Sequence, residues 1–116
     1  MSITTVAFFN NKGGVGKTSL VYHLVWCCAD MGMRVVAMDL DPQANLSSSF
    51  LDEDCLESLW QDNGQTKTIY GCLQPLVRGV GDFSEPYLEM PDPSIGLVAG
   101  DLTLSSFEDQ LSEVWP

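Results

Sequence analysis

Basic residues are scarce in this chain of 116: five lysines and arginines stand against sixteen aspartates and glutamates, for a net charge of −11. The shortage is uneven. Residues 1–51 carry Lys12, Lys17 and Arg34 against Asp30, Asp39 and Asp41, whereas residues 52–116 hold thirteen acids and only Lys67 and Arg78. Nucleic-acid and anionic-lipid affinity comes largely from cations that neutralise phosphates, so the second half should bind neither by itself. Its acids read as a solvated, solubilising face.

No apolar run approaches the roughly 18 residues of a membrane span. Residues 1–6, Met-Ser-Ile-Thr-Thr-Val, carry no basic flank of a signal peptide, and a cytoplasmic chain without a membrane segment is expected. Histidine occurs once, at His23, with no cysteine, histidine or carboxylate at ligand spacing, so it reads as a surface or packing residue. Cys27, Cys28, Cys55 and Cys72 contain no C-x-x-C spacing, which removes a zinc site and a disulfide framework and leaves buried, reduced thiols as the expectation. Internal repeats and low-complexity tracts are absent as well. With 45% apolar residues, the chain has enough material for one domain with a core.

Residues 3–9, Ile-Thr-Thr-Val-Ala-Phe-Phe, form a β-branched and aromatic run with the profile of a buried strand. A glycine-rich loop follows, and a helix is predicted from Lys17. Its core face would be Leu20, Val21, Leu24, Val25, Cys28 and Met31, with Gly32 at its end. Residues 34–39 predict a second short strand covered on both faces, so residues 3–39 make one βαβ unit. Residues 52–94 are poorly defined: residues 55–60 suggest a short amphipathic helix, Asn63-Gly64 and residues 79–82 suggest turns, and residues 91–93 suggest stiff, extended chain. Residues 95–99 predict a third strand and residues 103–111 a helix with Leu104, Phe107, Leu111 and Val114 on its apolar face. Trp26, Trp60 and Trp115 read as packing residues.

The loop reads NNKGGVGKTS over residues 10–19. The phosphate-binding pattern G-x-x-x-x-G-K-[ST] is met at Gly16, Lys17 and Thr18, but its first glycine is replaced by Asn11. Asparagine tolerates positive φ, and Gly13, Gly14 and Gly16 still let backbone N–H groups converge on an anion at the helix N-terminus. The expected cradle comprises Asn11, Lys12, Gly13, Gly14, Val15, Gly16, Lys17, Thr18 and Ser19. Lys17 would bridge the β- and γ-phosphates, and the Thr18 hydroxyl would ligate Mg²⁺. An ordinary tight connection is the bland alternative, and the strand–loop–helix context weighs against it. Lys12 is surplus to one phosphate site, which makes the nucleotide of a second protomer its natural target.

Lys12-Gly13-Gly14-Val15-Gly16-Lys17-Thr18 resembles the deviant Walker A motif of the ParA/MinD family, which is related to the nitrogenase iron protein. Asp39-Leu40-Asp41-Pro42-Gln43-Ala44-Asn45 resembles that family's first switch, most closely in the ParA branch. The resemblance is strong over residues 3–51 and weaker over residues 96–104. It implies an α/β fold, with a P-loop NTPase-like parallel sheet flanked by helices. It also implies ATP and Mg²⁺ as cofactors, and a nucleotide-dependent homodimer in which each Lys12 reaches the partner's phosphates. A lysine supplied in this way could act as a cation in trans does in GTPases, where the gain is about 10³ to 10⁵ in rate.

Asp39 falls at the C-terminal end of the second predicted strand, the edge where open α/β sheets bind ligands. By position it suits outer-shell contact with Mg²⁺ held at Thr18. Asp41 matches the family's switch aspartate and suits orienting or deprotonating the attacking water. Both could instead cap the turn that follows, since Asp-Pro commonly opens one. No strand ending in the family's second-switch aspartate is found. Asp101 belongs to an earlier strand of the pattern, so the chain is expected to be the N-terminal part of one such domain.

The implied function is a ParA-type ATPase that uses its nucleotide state to position DNA or other cargo, with DNA or a partner protein held through parts beyond these residues. An ATP-dependent amidoligase such as cobyrinic acid a,c-diamide synthase shares the fold, and would need a small carboxylate for turnover. A non-catalytic acidic interaction module would bind no nucleotide.

Overall fold

The computed structural model describes residues 2–9, 16–60, 67–105 and 109. In chain order the elements are α1 (Lys17–Asp30), β1 (Val35–Met38), α2 (Asn45–Phe50), α3 (Glu53–Trp60), α4 (Ile69–Val77), β2 (Glu89–Asp92) and β3 (Ile95–Val98). The strands form one sheet in the order β1-β3-β2. β1 and β3 are parallel, with Val35 opposite Ile95 and Met38 opposite Val98. β2 runs antiparallel to β3. The expected α/β arrangement is therefore present in part, as a mixed sheet with a parallel pair at its heart.

β3 is central because both of its faces are apolar and both are covered. Ile95 and Leu97 are wholly buried among Val25 of α1, Ala37 of β1 and Leu46 of α2. Val98, on the opposite face, packs with Ile69 of α4 and Leu104. A strand without polar alternation folds in this way when helices lie on either side of it. Each such buried side chain is worth about 1.5–3 kcal/mol.

α1 ends where the sequence predicts. Gly32 has φ +84°, and its N–H donates to the Ala29 carbonyl at 3.0 Å while Met33 N–H donates to Cys28 at 3.0 Å. This is the Schellman arrangement, whose left-handed residue glycine supplies without a Cβ penalty. The buried face is rotated from the predicted one. Val25 is buried and Val21, Tyr22, Trp26 and Ala29 pack beside it, whereas Leu20, Leu24 and Met31 are 52%, 40% and 77% exposed. The helix is apolar on nearly every side, so spacing alone does not choose a face. The aromatic contacts of Tyr22 and Trp26 with Phe50 do, at centroid distances of 4.8 and 6.4 Å.

Residues 3–9 differ from expectation more sharply: they form no strand and take no place in the sheet. Ile3 and Phe9 are 85% and 91% exposed. Their β-propensity has no hydrogen-bonding neighbour to act through, because the described strands pair only among themselves. The four cysteines are free, but none is buried: Cys27 is exposed and the others are half-buried.

The poorly defined stretch contains three elements. α3 covers the suspected amphipathic segment and buries Leu56 and Leu59, with the Asp52 carboxylate accepting from Cys55 N–H at its start, 2.8 Å away. α4 was not legible, because it contains Pro75. Proline has no N–H for the Gly71 carbonyl one turn back, and the Ser84 hydroxyl donates to that carbonyl instead, at 3.1 Å. β2 carries Pro91 on an edge, where a missing donor is tolerated. Beyond β3, Leu104 and Ser105 are helical, while Phe107, Leu111, Val114 and Trp115 lie outside the described residues, as does the Asn63-Gly64 turn.

Candidate functional site

The loop enters α1 through Gly16, in the left-handed region at φ 83°, and no side chain caps the helix start. Among the described residues the first amides of α1 have no capping side-chain acceptor, at the end of the helix that favours an anion. Lys17 and Thr18 occupy the first turn and are both half-buried. Asn11, Lys12, Gly13, Gly14 and Val15 lie outside the described residues, and Ser19 is exposed on the same turn.

β1 delivers the two carboxylates. Its ladder continues one residue past Met38, with Asp39 N–H donating to the Val98 carbonyl at 3.0 Å. Asp39 is only 3% exposed, and a charge so buried must be held by donors. Its Oδ2 accepts from Ser47 N–H at 2.9 Å and from the Ser47 hydroxyl at 2.6 Å. Its Oδ1 accepts from Asp41 N–H at 3.2 Å. Asp39 therefore caps α2 from eight residues upstream and fixes the backbone of Asp41 at the same time. The capping alternative thus holds for this side chain.

Asp41 opens the turn as well, its Oδ1 accepting from Gln43 N–H at 2.9 Å. Its other oxygen, Oδ2, stands 3.9 Å from Lys17 Nζ, with both side chains 32% exposed. A half-exposed pair at this distance adds little to stability. Its significance lies in placing the second predicted carboxylate against the predicted phosphate lysine. The following turn holds Ala44 in the left-handed region at φ 55°, a backbone choice that L-residues make at a cost and that clusters at functional loops.

Sequence reasoning missed three contributors. Ser47 sits in a Ser-Ser-Ser run whose sequence suggests a loop or a helix start, and in α2 it is fully buried. Its hydroxyl also accepts from Gly100 N–H at 2.8 Å. Trp60 Nε1 donates to the Gly100 carbonyl at 2.9 Å, so this tryptophan tethers as well as packs. Asp101 accepts from the Thr68 hydroxyl at 3.0 Å and from Thr103 N–H at 2.9 Å. His23 is exposed and meets only the edge of the Tyr22 ring among the described aromatic contacts.

The Lys17 ammonium stands against the Asp41 carboxylate just past the C-terminal end of β1, with Thr18 next to Lys17 in the first turn of α1 and Asp39 two residues before Asp41. That donor set suits the phosphates of a nucleotide and a hard divalent cation. The fold is a partial α/β fold of the P-loop NTPase-like class.

The chain belongs to the ParA/MinD-type family described as an AAA domain, which matches residues 3–115. It is 32% identical over 112 residues to the arsenical pump-driving ATPase of Escherichia coli, covering 96% of this chain and 18% of that protein. It is 49% identical over 43 residues to the sporulation initiation inhibitor protein Soj of Bacillus subtilis, covering 37% of this chain and 17% of that one. Among solved structures, protein DIP2308 from Corynebacterium diphtheriae superposes with a TM-score of 0.81 at 34% identity, over 93% of this chain and 40% of the other. The pNOB8 ParA bound to nonspecific DNA superposes with a TM-score of 0.59 at 27% identity, over 88% and 35% of the two chains. The chain spans 25% or less of the length of the curated relatives it matches over most of its own residues. Among the described residues, no helix is long and apolar enough to cross a membrane.

Proposed function

We propose that this chain is the nucleotide-binding portion of a ParA-type partition ATPase, in which Mg²⁺-ATP drives dimerisation and hydrolysis resets it so that DNA or other cargo is positioned. The observation that carries this reading is the approach of Asp41 to Lys17, 3.9 Å apart across the mouth of α1. In it, Lys17 and the first amides of α1 bind the β- and γ-phosphates, with residues 11–19 wrapping around them. Thr18 and Asp39 are the residues that would hold Mg²⁺. The cation, when bound, neutralises charge that builds on the phosphate oxygens.

Asp41 then orients a water in line with the γ-phosphorus and takes its proton as the new P–O bond forms and the bond to the β-phosphate oxygen breaks. The Lys17 ammonium, 3.9 Å away, turns that carboxylate toward the phosphate side. Lys12 completes the charge balance from the partner protomer. Asp39 is fitted to an orienting role because both of its oxygens already accept hydrogen bonds from the protein.

Support for partitioning comes from a relative described as the chromosome-partitioning ATPase Soj of Thermus thermophilus, 46% identical over 46 residues, and from the ParA structure bound to nonspecific DNA. The acidic charge of residues 52–116 assigns any DNA contact to other parts of the protein. ATP turnover by the purified protein, measured with and without duplex DNA, tests the reading, and acceleration by DNA is the expected result. Turnover that needs a small carboxylic acid instead would point to the amidoligase chemistry of the same fold.

A further inference from the structure

Ser47 and Gly100 come from segments 53 residues apart, yet they meet over one carboxylate. The Ser47 hydroxyl donates to Asp39 Oδ2 at 2.6 Å, and the Ser47 amide donates to the same oxygen at 2.9 Å. The hydroxyl oxygen then accepts from Gly100 N–H at 2.8 Å, so its donor and acceptor capacities are both engaged. Ser47 is wholly buried, out of reach of water that could replace either bond.

Gly100 closes the other side. A Cβ placed there would stand 3.0 Å from both Cγ and Oδ2 of Asp39 and 3.2 Å from the Asp41 carbonyl oxygen. Contacts that tight require the Asp39 carboxylate or the Asp41 carbonyl to give by a few tenths of an ångström, so glycine lets the strand end lie against the carboxylate undisturbed. The Gly100 peptide is itself tied down through its carbonyl to Trp60 Nε1, 2.9 Å away. With Oδ2 gripped, the carboxylate plane is fixed and Oδ1 is left to hold Asp41 N–H at 3.2 Å. Asp41 is thereby presented to Lys17.

We propose that Ser47 is a positioning residue for the hydrolytic site: together with Gly100 it clamps Asp39, and through Asp39 it sets the Asp41 backbone that carries the water-activating carboxylate. This role rests on the ATPase reading above. The Asp39 orientation that faces the cation site and the Asp41 placement that faces the water are then one structural variable, controlled from α2 and from the end of β3. Loss of the hydroxyl leaves Gly100 N–H without its acceptor and Asp39 Oδ2 with one donor fewer, which frees the carboxylate to turn.

The test uses full-length protein and two readouts: equilibrium ATP binding as a function of Mg²⁺ concentration, and the kcat and KM of hydrolysis. Ser47→Ala is expected to lower kcat and raise the half-saturating Mg²⁺ for ATP binding by about 10- to 100-fold, the usual effect of removing a partner behind a metal site. KM for ATP at saturating Mg²⁺ stays near the wild-type value, and Ser47→Thr, which keeps the hydroxyl, restores both quantities. Gly100→Ala presses on the same carboxylate from the opposite side and reproduces the Ser47→Ala profile. Leu56→Ala, a buried core change in α3, lowers the melting temperature without moving the Mg²⁺ response.

Should Ser47→Ala not fold, Gly100→Ala compared with Leu56→Ala decides the matter. Wild-type Mg²⁺ response and kcat in Ser47→Ala, or in Gly100→Ala, overturn the clamp while leaving the ATPase reading intact. A wild-type protein with no Mg²⁺-dependent ATP binding overturns both.

Discussion

Lys17 at the head of α1 and Asp41 beyond the end of β1 face each other across 3.9 Å, Nζ to Oδ2. They are 24 positions apart in sequence, and the parallel β1–β3 pair with α1 packed on it brings them together. Removing the carboxylate should separate binding from chemistry. Asp41→Ala is expected to bind Mg²⁺-ATP as the wild type does, to lose about 10²- to 10⁴-fold in turnover, the range of a general base, and to accumulate as an ATP-bound dimer. Single-turnover hydrolysis and light scattering read both effects, and normal hydrolysis would remove Asp41 from its role.

Lys12 gives a second division. Lys12→Ala is expected to retain ATP binding, because Lys17 and the helix amides remain, and to lose ATP-dependent dimerisation and the hydrolysis coupled to it. Sedimentation with a non-hydrolysable ATP analogue checks this. A dimer that forms normally and turns over at the wild-type rate would contradict a lysine acting in trans.

Pro75 makes a prediction about stability alone. The Ser84 hydroxyl serves the Gly71 carbonyl that Pro75 leaves without a helical donor. Ser84→Ala should cost about 0.5–1.5 kcal/mol of unfolding free energy, the net worth of one hydrogen bond, with ATP binding unchanged. Urea denaturation gives the value, and an unaltered midpoint would mean that water serves the carbonyl equally well.

Glu89 predicts an alkaline effect. Burial and the adjacent Glu89 carboxylate raise the Cys55 thiol above its ordinary 9.0. The hydrogen bond to Glu89, followed by its charge, raises Tyr87 above 10.0. Both groups become anions on losing a proton, and the folded chain holds those protons more tightly than the unfolded one. The stabilisation is therefore complete below pH 9.0 and fades as pH climbs through the raised values. Glu89→Gln removes the shared carboxylate, so its melting temperature should fall less between neutral and alkaline pH than that of the wild type. Identical slopes would contradict the coupling.

Legibility in the sequence followed the range of the interaction. The Gly32 stop, the α3 amphipathic helix and the β3 core strand are set by spacing and local backbone preference, and they stand close to where residues 32, 55–60 and 95–99 predict them, with α3 starting two residues earlier and β3 ending one sooner. The face of α1 was not legible, since an apolar helix turns toward whatever packs against it, here Phe50. Residues 3–9 have the composition of a strand, but a strand exists only with a neighbour. Asp39 and Asp41 stand out as candidate site residues from their place at and just past the end of a strand. The Ser47–Gly100 clamp could not, because a serine in a polar run shows its burial only once α2 and β3 have met.

The central claim is that Lys17 and the end of β1 form an ATP site, and equilibrium titration of full-length protein with Mg²⁺-ATP, wild type beside Lys17→Ala, tests it most directly. Saturable, Mg²⁺-dependent binding by the wild type, with none by a folded Lys17→Ala at concentrations that saturate the wild type, is the predicted result. Wild-type protein that binds no Mg²⁺-ATP, or Lys17→Ala that binds it equally well, would contradict the account.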